Sequence, residues 1–593
     1  MQYDLKITGG TVYDGDGGAP RQADIAVRDG IIVAVGDCPG EARETLDASG
    51  HIVTPGFIDL HTHYDGQVSW DAELRPSVNH GVSTVVMGSC GVGFAPVRRG
   101  DRDKLVRLME GVEDIPGIAL TEGMSWDWES LPEYLDALER KPHAIDFAVQ
   151  VTHDPLRVYV MGERAVYNEP ATPDDIAEMR RLTREALEAG AIGFSTGRSD
   201  VHRSADGEWT PSSEATAEEL AGIAAAFRGL DHGVLQAVND FNLEREGDAF
   251  DREFDILETF ARGAGGRPFS LSLMQRDFAP DQWLRIIERA EKAHASGLDI
   301  RLQVAPRGIG VITGLQCTFH PFIGFPSYKA ISDLPLAERV ERMRDPDFKR
   351  RLLSEKSEKL AGDGTPVPPI VDALMAAIDY VASKTFLLGD NPDYEQTAET
   401  SVLHMAEERG IPALEMIYDL LLEEQGRALL YFPIYNYTEM SFDNLHTMMQ
   451  HPLSIMGLSD GGAHVGTICD SSFPTYLLSY WTRDRERGER LPLADAVRRL
   501  TADIADYAGL SDRGRLRPGL KANINVIDYE RLRLFAPRMV QDLPAGGQRL
   551  LQDAAGYRAI IVAGETVVAD DRLTGACPGR LVRAGRGALR SAA

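Results

Sequence analysis

Eight short apolar stretches, each closing on polar residues, constrain this chain more than any other feature. In order they are "HIVTPGFIDLHTH", "VSTVVMGSC", "AIDFAVQVTHD", "AIGFSTGR", "HGVLQAVND", "PFSLSLMQR", "LDIRLQVAPR" and "SIMGLSDGG". Runs this short and this apolar read as strands buried on both faces. Helical segments stand between several of them. "TPDDIAEMRRLTREALEAG" precedes the fourth, with Thr172 as N-cap and Pro173 at the first helical position. "SEATAEELAGIAAAFRG", "DREFDILETFARG" and "DQWLRIIERAEKAHASG" precede the fifth, sixth and seventh. Strand–helix alternation of this length predicts an α/β fold, a (β/α)8 TIM barrel. In such a barrel the carboxyl ends of the strands form the site, so the polar strand ends mark where chemistry is expected. For any one of them a turn or a helix cap is the plainer reading.

The two ends of the chain share a different texture. "YDLKITGGTVYDG" and "ADIAVRDGIIVAVGD" alternate apolar with polar residues between Gly and Asp, and "ANINVIDYERL" and "YRAIIVAGETVVADD" do the same near the C-terminus. A small β-sandwich built from both termini is the economical arrangement, with residues 1–54 and 513–593 flanking a barrel over 55–512. Roughly 140 residues separate the seventh and eighth strands, far more than an αβ loop uses. Residues 308–450 therefore read as a helical cap insertion, which includes the aromatic stretch "LLYFPIYNYTEM". A shorter insertion, about Val97 to Trp128, follows the second strand.

Composition removes several function classes. A formal net charge of -29 disfavours nucleic acid and anionic membranes as partners. Five scattered cysteines, with no C-x-x-C, argue against a disulfide framework or a zinc ribbon. The opening "MQYDLKITGG" has no apolar signal region, and no run approaches a membrane span. A cytoplasmic protein is expected.

The chemistry centres on "GFIDLHTHYD". On a strand, alternate residues share a face, so His61 and His63 point the same way and Thr62 points away. Two imidazoles side by side at a strand end are competent metal ligands. Such a pair is a short motif, and the rest of the chain has to support it. No G-x-S-x-G sits in a strand–turn–helix context, so a serine nucleophile is not supported.

The order of motifs resembles the amidohydrolase superfamily, and within it the N-acyl-D-amino-acid deacylase (D-aminoacylase-like) branch. The resemblance runs nearly end to end, through "YDLKITGGTVYDGDG", "GFIDLHTHYD", "GSCGVGFAPV", "AGAIGFSTGR", "GLSDGGAH" and "GLSDRGRLRPGLKANINVID". It implies that His61 and His63 hold a divalent metal, most simply Zn2+. It implies that Cys90 is the cysteine which D-aminoacylases use in place of a bridging carboxylated lysine. A buried structural thiol is the alternative for Cys90. It also implies that Asp460 binds the metal and serves as general base, then acid, where the bland reading is an Asp-Gly turn. A small-molecule amide substrate and a homo-oligomer are further implications.

The chain departs from the family pattern on strands five and six, where a histidine is normal on each. Val238 and the Leu273–Met274 region stand there instead, with Gln236, Asn239 and Gln275 nearby, and His232 lies at the wrong end of its strand. Amides are poor zinc ligands. One ion held by His61, His63, Asp460 and Cys90 is therefore expected, and the second position is doubtful. His153 is a candidate for oxyanion stabilisation, against a satisfied core histidine. Ser195, Arg198, Arg307, Gln275 and His464 are candidates for substrate binding, against structural roles. The expected function is a metal-dependent hydrolase of a C–N amide bond. Hydrolysis of a cyclic amide, lactone or ester, a non-hydrolytic binder and a lyase are the alternatives.

Overall fold

The eight apolar stretches form eight parallel strands that pair in chain order in the computed structural model, which describes residues 2–241, 249–362, 364–365 and 367–585. Barrel strands one to eight are Phe57–Thr62, Val82–Met87, Asp146–Thr152, Gly193–Arg198, Val234–Asn239, Phe269–Ser272, Ile300–Val304 and Ser454–Met456. The sheet closes where Thr62 bridges to Gly461 and the His63 N–H donates to the Gly461 carbonyl at 2.7 Å. That closure brings the end of strand one against the segment following strand eight. Strands one to six are buried on both faces, as parallel strands covered by helices outside and filled by side chains inside must be.

Local signals set the helices. Thr172 caps the helix Pro173–Ala189 in a capping box with Asp175, and Gly190 ends it at a φ of 116°. Met179, Thr183, Ala186 and Leu187 form its buried face.

Both termini share one nine-stranded sheet. Ile52–Pro55 pairs with Tyr3–Val12 on one side and with Ile524–Ile527 on the other. Leu5, Ile7, Ile25, Val27, Val526 and Ile561 fill the core of this β-sandwich. Asp146, at the start of strand three, ties barrel to sandwich. It accepts from Arg513 Nη1 at 2.6 Å, Lys521 Nζ at 2.6 Å, Asn523 Nδ2 at 3.2 Å and the Arg580 N–H at 2.9 Å.

The long segment after strand seven is helical, as expected, but it also holds a small antiparallel sheet of Ile309–Thr313, Leu430–Tyr435 and Phe386–Leu387. The aromatic stretch is one of these strands, and Tyr431 is buried with its hydroxyl donating to the Gly308 carbonyl. Phe322, Met343, Leu352, Met416 and Leu430 give the segment a core of its own. The insertion after strand two forms the helices Arg102–Glu113 and Gly117–Gly123.

Candidate active site

His61 and His63 leave strand one on the same side, with ring centroids 5.5 Å apart. The Cys90 thiol comes from the turn after strand two, 3.3 Å from His61 Nε2. Ligand atoms of His61, His63 and Cys90 all lie within 4.8 Å of one another, and all three residues are buried. Asp460 approaches from the segment after strand eight, its Oδ1 3.2 Å from His61 Nε2 and 3.6 Å from His63 Nε2.

The backbone here is unusual. Cys90, Leu458, Asp460 and His464 all have positive φ, at 55°, 62°, 51° and 48°. Such conformations persist only where surrounding structure imposes them, and they cluster at functional sites. Ser195 is one of the groups that impose them. Its hydroxyl donates to the Gly88 carbonyl and accepts from the Gly91 N–H at 3.1 Å, so strand four clamps the turn carrying Cys90. Gly197 lets that turn approach, since a Cβ there would meet the Cys90 carbonyl oxygen at 2.3 Å.

Beneath His61 lies a layer of amides from strands three, five and seven. Gln303 Oε1 and Gln236 Nε2 each lie 2.8 Å from His61 Nδ1, and Gln150 Nε2 lies 3.3 Å from Gln236 Oε1. Odd-numbered strands supply the whole layer, the packing rule of (β/α)8 barrels. An Nδ1–H donated to Gln303 leaves the Nε2 lone pair of His61 toward Cys90 and Asp460.

Burial pushes His61 down to about 4, so its imidazole is neutral, as a metal ligand must be. Burial would also lower His63, but Glu113, Asp460 and Cys90 together outweigh it and raise the ring well above its ordinary value. Burial pushes the Cys90 thiol up to about 12, so a cation beside it is what would deprotonate it. For Asp460, burial is outweighed by His63 and His61, which hold the carboxyl far below the usual range. Both nitrogens of His63 and Oδ1 of Asp460 are buried without a hydrogen bond that satisfies them. Orphaned buried atoms around a Cys-His-His set fit a divalent metal with an affinity for nitrogen and sulfur.

The other predicted residues are placed differently. His153 is fully buried, with Nδ1 2.9 Å from Thr196 Oγ1 and Nε2 3.0 Å from Glu219 Oε1. Arg198 binds Glu253 at 2.8 Å. Glu219 and Glu253 belong to the helices Ala217–Ala224 and Phe250–Gly263, so His153 and Arg198 tie strands to the helical layer. Arg307 is packed 3.8 Å from the Tyr394 ring and bound to Asp470 at 2.9 Å. Gln275 is held by the cap, donating through Nε2 to Glu439 at 2.9 Å. Only His464 of this group comes beside the site, with Nε2 3.4 Å from Glu113 Oε2.

Two site residues were not singled out from the sequence. Glu113 ends a helix of the insertion and faces His63 Nδ1 at 3.2 Å. Its signal was a charged residue on the apolar face of the helix, four residues after Met109. His202, after strand four, is half-buried, and burial lowers it to about 4, so it stands neutral near His61 and His464.

A closed barrel with paired histidines on strand one and an aspartate after strand eight defines a class, the metal-dependent hydrolases of C–N amide bonds. The profile of the amidohydrolase family (Amidohydro_3) spans residues 44–568, and the chain belongs to this family. It is 26% identical over 586 residues to D-aminoacylase of Alcaligenes xylosoxydans xylosoxydans, covering 98% of this chain and 97% of that one. N-acyl-D-glutamate deacylase of the same organism is 27% identical over 540 residues, covering 89% and 88%. A solved D-aminoacylase, described with a binuclear metal center, superposes with a TM-score of 0.62 at 25% identity, covering 98% of this chain and 100% of that one. Within the family the chain falls in the D-aminoacylase-like branch. No helix among the described residues is long and apolar enough to cross a membrane.

Proposed function

We propose that this chain hydrolyses an N-acyl-D-amino acid with a single Zn2+ held by His61, His63, Cys90 and Asp460. The observation that carries the proposal is the convergence of the His61, His63 and Cys90 ligand atoms within 4.8 Å, with Asp460 against both rings. A single ion is supported by strands five and six. Gln236 lies on the Nδ1 side of His61, its Nε2 2.8 Å from that atom, while Met274 packs with Ala305, Ile309 and Leu458. The triad is also the one metal-competent group of three among the described residues. When bound, zinc activates water and polarises the amide carbonyl. The chain's residues do the rest. Asp460 is ionised and accepts the proton of the attacking water, then returns it to the departing amine nitrogen. The His61 ring is held by Gln303, whose Oε1 accepts from Nδ1–H. The D-aminoacylase and D-glutamate deacylase relatives point to an acylated D-amino acid as substrate.

The test pairs metal analysis with a panel of N-acetyl-D- and N-acetyl-L-amino acids. About one zinc per chain and turnover confined to D-substrates is the expected result. Two ions per chain, or turnover of L-substrates alone, refutes the corresponding part of the reading.

A further inference from the structure

We infer that Glu113, supplied by the insertion after strand two, is a positioning residue that orients two site histidines at once. The inference rests on the metal site proposed above. Glu113 is fully buried, and neither carboxylate oxygen has a hydrogen-bond partner, the two rings it faces standing at ion-pair distance. Oε1 lies 3.2 Å from His63 Nδ1 and Oε2 lies 3.4 Å from His464 Nε2. An ionised carboxylate only accepts. With Glu113 ionised, the arrangement that makes both contacts attractive puts a proton on each facing nitrogen, leaving His63 Nε2 toward Asp460 and His464 as the Nε2–H form.

The position of Glu113 is itself imposed. Its helix ends at Asp114, which takes the left-handed conformation at a φ of 51°. Asp114 Oδ2 accepts from the Gly466 N–H and from Thr467 Oγ1, each at 3.1 Å. The His464 N–H donates to the Glu113 carbonyl. The helix end and segment 464–467 are thus joined by both backbone and side chains. The barrel supplies the metal-competent groups, and an insertion outside it sets the direction in which His63 and the neighbouring His464 point.

The substitution to make is Glu113→Gln. An amide can accept from one ring only, and its NH2 opposes the N–H of the other. Zn2+ affinity, measured by chelator competition, should weaken by about 10- to 100-fold, and the absorption spectrum of the Co2+-substituted protein should change. Affinity within twofold of wild type with an unaltered Co2+ spectrum would overturn the inference. A readout independent of metal comes from 15N-histidine NMR of the cation-free full chain. Displacement of both the His63 and His464 ring signals in Glu113→Gln supports one carboxylate serving two rings, and displacement of one or neither refutes it. Failure of the wild type to bind metal would sink the metal reading, while the NMR result still decides the role of Glu113. If Glu113→Gln does not fold, Glu113→Asp, which withdraws the carboxylate by one methylene, takes its place in both measurements with the same criteria.

Discussion

Asp460 Oδ1 stands 3.2 Å from His61 Nε2 and 3.6 Å from His63 Nε2, so one carboxylate oxygen faces both histidines of the first strand. The contact depends on closure of the barrel, because the Asp460 N–H also donates to the His61 carbonyl at 3.2 Å. Replacing Asp460 with Asn keeps the size and removes the charge. Turnover should fall by about 10^2- to 10^4-fold, the range for loss of a general base. Steady-state kinetics beside zinc analysis separates loss of the base from loss of metal.

Gln303 is predicted to act through His61. In Gln303→Leu the Nδ1 atom faces only the Gln236 amide nitrogen, itself a donor, so the ring loses the acceptor that selects its tautomer. Zinc affinity should drop by roughly 10-fold or more, with little change in thermal stability. Chelator competition and a melting curve on the same preparation check both halves.

Metal binding should strengthen as pH rises. Burial holds the Cys90 thiol near 12, and against burial Glu113, Asp460 and Cys90 together keep His63 protonated above its ordinary value. Each must shed its proton to ligate, so binding releases protons and acid opposes it. Calorimetry in buffers of different ionisation enthalpy counts those protons. Cys90→Ser should release about one fewer, and bind more weakly at every pH.

Asp146 offers a test of how barrel and sandwich are joined. Breaking its buried pairing in Asp146→Asn should cost about 3–5 kcal/mol, because Lys521 then loses its countercharge and Arg513 keeps only Asp512. Burial opposes its charge, but Lys521 and Arg513 win and lower the carboxyl from 3.8 to about 2. The stabilisation is therefore fully present above pH 3.8 and is lost as pH falls through about 2. Denaturant melts of wild type and variant at pH 7 and in acid should converge at the acid end.

Much of this protein is legible before any coordinates. The eight strands emerge because barrel strands are apolar on both faces and short, and their helices carry caps such as Thr172 and Gly190. Period-two alternation places His61 and His63 on one face, and no tertiary information is needed for that. The same alternation does not say which face is the lumen when both are buried. His153 and Arg198 therefore read as site residues, although their partners Glu219 and Glu253 belong to the outer helices. Gln303, Gln236 and Gln150 look like unremarkable polar residues until closure of the barrel brings three strands around His61. Glu113 depends on tertiary structure most of all, because its partner His464 is distant in sequence and the two meet only when an insertion packs on the segment after strand eight. Local periodicity determines which residues share a face of an element. Chain closure and insertion packing decide which elements meet, since those contacts are non-local and leave no periodic trace.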